Sequence, residues 1–210
     1  TTFVFALIAS SSPAAHAMDQ VRIETKTDLA VTNYGVTGKG VVIAILDRGI
    51  DYTHPDFRNA DGTTRIKWIL DQKGQNLCPG SPAAVEYSEA QINASLTSGT
   101  PLGTRDAVGH GTVTTGLAAG NGRAFASGKY KGIAPEADLI IVKVTSEGAL
   151  AHDAQPAEAS FQGCIDEALT WLDSKLTLLG KPVVALINSG VQWGPIDGTS
   201  AVSRKLDAVF

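Results

Sequence analysis

Two residues in this sequence have the types and setting for proton-transfer chemistry, Asp47 and His110, 63 positions apart (110 minus 47). A neutral imidazole is the side chain best suited to take a proton from a hydroxyl nucleophile near pH 7. It then needs an acceptor on its other ring nitrogen, which fixes the tautomer and stabilises the imidazolium that forms. Asp47 meets that need. The same aspartate also suits a simpler task, capping the turn from Gly49 to Pro55, so the elements around both residues have to decide.

Asp47 ends the run Val41 to Leu46, six apolar residues without alternation, the pattern of a strand covered on both faces in a parallel sheet. In open α/β sheets ligands bind in the crevice outside the carboxyl ends of the strands. The stretch Asp106 to Gly120 reads as a glycine-flanked turn running into a helix. Val113, Leu117 and Ala118 have helical spacing, Gly120 is the stop, and His110 falls at or just before the helix start. The positive end of a helix there favours the neutral, proton-accepting imidazole. Further strands are expected at Thr64 to Asp71, Ile140 to Val144 and Val183 to Ile187, the last two buried. Glu158 to Leu179 carries one apolar stripe (Phe161, Ile165, Leu169, Leu172, Leu176, Leu179), ended by Gly180 and Pro182. Ser200 can cap a last helix from Ala201, with Val202 and Leu206 inward. This order predicts an α/β fold of three layers, a mostly parallel sheet with helices on both faces.

Between these elements the pattern is weaker. Asp19 to Gly40 shows no strong periodicity and reads as turns leading into the first strand. Gly35, Gly38 and Gly40 do not form a dinucleotide fingerprint, because they precede a strand instead of following one. Residues 72–105 form a long insertion rich in Gly, Pro and Ser. A short helix, Ser88 to Ser98, is expected inside it with Ala90, Ile92 and Leu96 inward.

The 210 residues are 43% hydrophobic and 18% charged with a net charge of -4. That composition suits a globular enzyme, and with no clustered basic run it gives no reason to propose nucleic acid. Residues 1–17 resemble the tail of a secretory signal, with an apolar core Phe3 to Ala9 and a small-x-small site at Ala15-His16-Ala17. They are too short to span a bilayer, so a secreted or periplasmic protein is expected, its remaining domain covering 18–210. Cys78 and Cys164 can pair only if the protein is exported, and spacing alone does not establish the bridge. No Cys/His set has zinc spacing.

Asp47-Arg48-Gly49-Ile50-Asp51 with His54-Pro55-Asp56-Phe57, and Gly109-His110-Gly111-Thr112 followed by Gly116 and Ala118-Ala119-Gly120, resemble the aspartate and histidine boxes of subtilisin-like serine peptidases. Gly132 to Ala137 and Ile141 to Val144 also resemble that family's next strand, and the likeness runs from about Gly38 to Phe210. It implies a subtilisin-like fold and a serine endopeptidase acting on polypeptides, with no cofactor for the chemistry. Asp47 would orient and His110 would be general base, then acid. Asn188, Ser189 and Gly190 fall where the family pairs with the substrate backbone, although Leu186 to Val191 departs from the usual pattern there. Val113 stands where many members have a second histidine.

Gly198-Thr199-Ser200 spells the start of the family's nucleophile box, yet Ala201-Val202-Ser203-Arg204 follows where Met-Ala is expected. No Asn for an oxyanion hole lies between Val191 and Thr199. Ser200 is therefore expected to be a helix cap, and the chain to be an incomplete catalytic domain, inactive alone, whose serine lies beyond Phe210. Two other readings compete. One is a metal-binding module using Asp47, Asp51, His54, Asp56 and Asp61, where Asp56 could help hold a structural calcium ion. The other is a secreted, non-catalytic domain that binds peptides by strand addition.

Overall fold

A computed structural model describes residues 18–72, 84–144, 155–188, 195 and 197–210, with the side chains of 155–164 not included. The proposed signal segment, Cys78 and the Cys164 side chain lie outside the described residues. Five strands form one sheet in the order β3-β2-β4-β1-β5. These are β1 (Val42–Asp47), β2 (Ile66–Asp71), β3 (Val85–Ser88), β4 (Asp138–Lys143) and β5 (Val183–Ile187). All neighbours run parallel except β3, which pairs antiparallel with β2.

The unbroken apolar run of β1 has a simple cause. Val42, Ala44 and Leu46 point into one core with α5 (Gln155–Leu179), while Ile43 and Ile45 point into a second core on the opposite face. In β4 the same split sends Ile140 and Val142 one way and Leu139 and Ile141 the other. Strand side chains alternate, so a strand buried on both faces must be apolar throughout. The first core also holds Ile165, Leu169, Leu172 and Leu176 of α5, with Val202 and Leu206 of α6 (Ala201–Val209) packed on it. The second holds Ile92 of α3 (Glu89–Ser98) and Ala119 of α4 (His110–Ala119). The expected three layers are present.

Five local expectations are corrected. Asp19 to Gly40 contains α1 (Met18–Glu24) and α2 (Thr27–Tyr34). No apolar stripe announces them, because the segment is fastened by a buried arginine, Arg22, which donates to Gly132 O and pairs with Asp28. The insertion is not all loop: β3 extends the sheet beyond β2. The α3 that follows is held by a capping box of Ser88 and Gln91. In α3 Ile92 is buried and Leu96 packs on the core, but Ala90 faces solvent and Ser95 takes the inward place. In α4 two of the three periodic residues face outward: Val113 is 61% exposed and Leu117 is also exposed, while Ala118 packs on the second core and Gly111, Thr114, Thr115 and Ala119 are buried. Finally, β5 pairs only with β1 among the described strands and has Val184 exposed, so it lies at the edge of the described sheet and is not fully buried there.

Candidate active site

Asp47 is the last residue of β1, with its side chain 1% exposed, and His110 is the first residue of α4, with its side chain 32% exposed. His110 Nδ1 lies 2.7 Å from Asp47 Oδ1. A carboxylate only accepts, so Nδ1 carries the hydrogen and the ring lone pair is on Nε2. The backbone N–H of Arg48 donates to the same Oδ1 at 2.6 Å, which fixes the carboxylate against its own turn. Asp47 Oδ2 is buried without a hydrogen-bond partner among the described residues.

The approach of the two residues depends on glycine. Gly49 sits at φ 111°, and a Cβ on it would fall 2.8 Å from Arg105 O. A Cβ on Gly111 would overlap Gly49 O. The start of α4 therefore rests directly on the turn after β1, and only a residue without a side chain fits on either side of that contact.

Gly109, the residue before α4, offers no side chain to the helix end, and Asp106 takes over the task. Its Oδ1 accepts from Gly109 N at 2.8 Å and Val108 N at 3.2 Å, and its Oδ2 accepts from the N–H and hydroxyl of Thr112, both at 2.8 Å. Thr112 Oγ1 in turn accepts from Asp51 N at 2.8 Å, which ties the helix start to the turn after β1. An aspartate at a helix N-terminus satisfies orphan N–H groups and interacts well with the helix dipole. From below, Lys143 on β4 donates to Arg105 O. Lys143 is in register with Asp47 on one side and with Asp71 on the other, and all three are buried. Sequence reasoning did not single out Asp106 or Lys143. A carboxylate three residues before a glycine at a helix start was the available signal for Asp106.

Of the other residues singled out from the sequence, Asn188 follows β5 and its Nδ2 donates to Thr114 Oγ1 of α4 at 3.1 Å. Ser189 and Gly190 lie outside the described residues. Ser200 is the cap of α6, accepting from Ser203 N at 3.1 Å. It belongs to the helix pair α5–α6, on the face of the sheet opposite α4. The carboxylates considered for metal are engaged in turns: Asp51 Oδ1 accepts from the N–H and hydroxyl of Thr53, and Asp61 Oδ1 does the same for Thr63. His54 Nδ1 accepts from Asp56 N. Asp56 Oδ1 accepts from Ala124 N at 2.7 Å, and its backbone carbonyl accepts from the buried guanidinium of Arg65.

A carboxylate–imidazole pair of this geometry can take a proton from a hydroxyl placed at Nε2. The model of the subtilase family matches residues 38–160, more than half of the chain. The chain belongs to the subtilase family. It is 33% identical over 144 residues to serine protease AprX of Bacillus subtilis, a match covering 69% of this chain and 23% of that protein. It is 32% identical over 114 residues to the minor extracellular protease Vpr of the same organism, covering 54% and 11%. Among solved structures, the CspB protease of Clostridium perfringens superposes with a TM-score of 0.69 at 28% identity, over 86% of this chain and 35% of that one. The chain thus spans a minor part of the length of these relatives.

Proposed function

We propose that this chain is part of the catalytic domain of a subtilisin-type serine endopeptidase, with Asp47 as the orienting carboxylate and His110 as the general base. The observation that carries the proposal is the 2.7 Å contact between His110 Nδ1 and Asp47 Oδ1. With Nδ1–H held by the carboxylate, Nε2 accepts the proton of an attacking serine hydroxyl. The imidazolium formed is stabilised by Asp47, and it returns the proton to the amine that leaves as the peptide bond breaks. The attacking serine and the oxyanion-hole donors come from sequence outside this chain, since the Ser200 hydroxyl serves as a helix cap. A chain holding only two members of such a unit has very little activity of its own.

The substrate is a polypeptide, held in extended form beside the segment Asn188 to Gly190 at the end of strand β5. The bond from Asn188 to Thr114 supports this reading by fastening that end of β5 to the helix that carries His110. The protein is exported. The apolar stretch Phe3 to Ala9 and the site Ala15-His16-Ala17 support export, and among the described residues no helix is long and apolar enough to cross a membrane.

The test is active-site labelling of the full-length protein with an organofluorophosphate. Labelling that is retained in Ser200→Ala and lost in His110→Ala is the expected result. Labelling abolished by Ser200→Ala overturns the assignment of Ser200, and an unlabelled full-length protein overturns the peptidase reading itself.

A further inference from the structure

At the other edge of the sheet, a cavity of about 500 Å³ opens between the N-terminal helices and the body. Its walls come from four separate stretches of chain: α1 and α2, the turn before β1, the loop before β2, and the connection from α4 to β4. The lining includes five cationic side chains, Arg22, Lys39, Arg65, Arg123 and Lys131, against one carboxylate, Glu136. Within the lining the cations outnumber the single carboxylate, while Asp28, Asp56, Asp61 and Asp138 stand close behind the walls.

The cations differ in how they are held. Arg22 is buried and paired with Asp28. Arg65 is 5% exposed and donates to Asp56 O, Ala119 O and Ala137 O, carbonyl groups that carry no full charge. Its Nε–H is buried and meets no acceptor among the described residues. Burial lowers the Arg65 pKa to about 10 despite the nearby carboxylates of Asp138, Asp56 and Glu136, so the fold bears a cost for keeping this charge. Lys39, Arg123 and Lys131 are exposed, and among the described residues none forms a salt bridge. The hydrogen bonds from Thr63 lower the pKa of the exposed Asp61 carboxylate, and the charge of the nearby Arg123 adds a minor part. The stem of Lys131 runs close to Gly122 and Gly128. Glu136 accepts from the Thr37 hydroxyl.

Like charges gathered round a concavity repel one another, and buried polar hydrogens without acceptors are costly. A ligand with several anionic oxygens relieves the repulsion, and arginine is the side chain whose geometry best matches carboxylate and phosphate. We propose that this cavity binds a compact polyanion carrying two or more phosphate or carboxylate groups. A single inorganic ion would leave most of the volume empty, and the cations stand on separate segments, so one ligand ties the N-terminal helices to the body. The site lies at the amino ends of β1, β2 and β4, and Asp47 and His110 lie at the carboxyl ends. A six-residue strand separates them by about 20 Å. Binding therefore acts on stability and leaves the chemical step alone.

The test follows thermal unfolding of the full-length protein at constant ionic strength, with sodium chloride replaced stepwise by inorganic pyrophosphate or by citrate. A saturable rise in Tm of about 5 °C at a hundredfold excess over Kd is expected with at least one of them. The pair of substitutions Lys39→Glu and Lys131→Glu, both at exposed positions, removes that rise. Arg123→Glu, made separately, weakens it, and kcat/KM on a peptide stays within about twofold in every variant. The absence of a saturable rise with either anion overturns the proposal, as does the same rise in the double variant. A response confined to an oligoglutamate peptide, with pyrophosphate and citrate inert, overturns the small-ligand assignment.

Discussion

The backbone of Gly111 lies against the carbonyl oxygen of Gly49, and this contact sets how near His110 comes to Asp47. Any side chain at position 111 has to push α4 away from the turn after β1. Gly111→Ala is expected to lose about 1–3 kcal/mol of stability, the usual cost of forcing extra carbon into a packed contact. Gly116, in the same helix, has open space where its Cβ would be. Gly116→Ala is expected to gain roughly 0.5–1 kcal/mol through helix propensity. Urea unfolding of both variants checks the opposite signs, and two equal gains would mean that helix propensity, not the contact with Gly49, governs position 111.

Asp47→Asn keeps the size of the side chain and removes its charge. An amide can donate to Nδ1, which favours the wrong tautomer and leaves no stabilisation for the imidazolium. In the full-length protein kcat is expected to fall about 10⁴-fold, with thermal unfolding little changed. Steady-state kinetics on a peptide substrate measures this. A loss below about tenfold would remove Asp47 from the proton-transfer unit.

Asp106 stands in for the missing cap of α4 through its bonds to Gly109 N and Thr112 N. Asp106→Ala is expected to cost about 1–2 kcal/mol. Asp106→Asn is expected to cost less, because the amide oxygen can replace one acceptor but not both. Hydrogen exchange should show faster opening at the start of α4 in the alanine variant. Unchanged protection at Thr112 would show that the helix end is held by other means.

Lys67 provides a pH test of stability. Its Nζ is 2.8 Å from Glu89 Oε1 and 3.5 Å from Asp138 Oδ1. Burial alone would lower its pKa, but the hydrogen bonds and charges of Glu89 and Asp138 outweigh that and hold it above the ordinary lysine value. The native state binds this proton more tightly than the unfolded chain does. The contribution is therefore complete below the unfolded pKa and is lost as pH rises through the folded one. Lys67→Met is expected to cost about 0.5–1 kcal/mol at pH 7. The gap from wild type should narrow above about pH 10.5. Chemical denaturation at pH 7, 9 and 11 measures it, and a gap that widens with pH contradicts the sign.

The pairing of Asp47 with His110 was legible because two local signals coincide with it. An unbroken apolar run ending on an acid places Asp47 at the edge of a buried strand. Glycines around His110 place a histidine at a helix start. The strand β5 was found with its bounds intact, since Gly180 and Pro182 mark the end of α5. Other elements left no such mark. The helices α1 and α2 are held by one buried arginine, and no apolar period reports that kind of anchoring. The strand β3 is four residues long, and its pairing with β2 is a long-range choice.

What the sequence determined by itself is the strands β1, β2, β4 and β5, the helices α3 to α6, and the edge of the sheet where Asp47 and His110 belong. Hydrophobic periodicity and glycine positions are local properties, and they suffice for that. Tertiary structure decided which face of α4 is buried, because the close rest of Gly111 on Gly49 favours small residues inward and turns Val113 and Leu117 to the surface. It also decided that five cations from distant segments share one cavity, for charges far apart in sequence become neighbours only when the sheet and its connections bring the chain together.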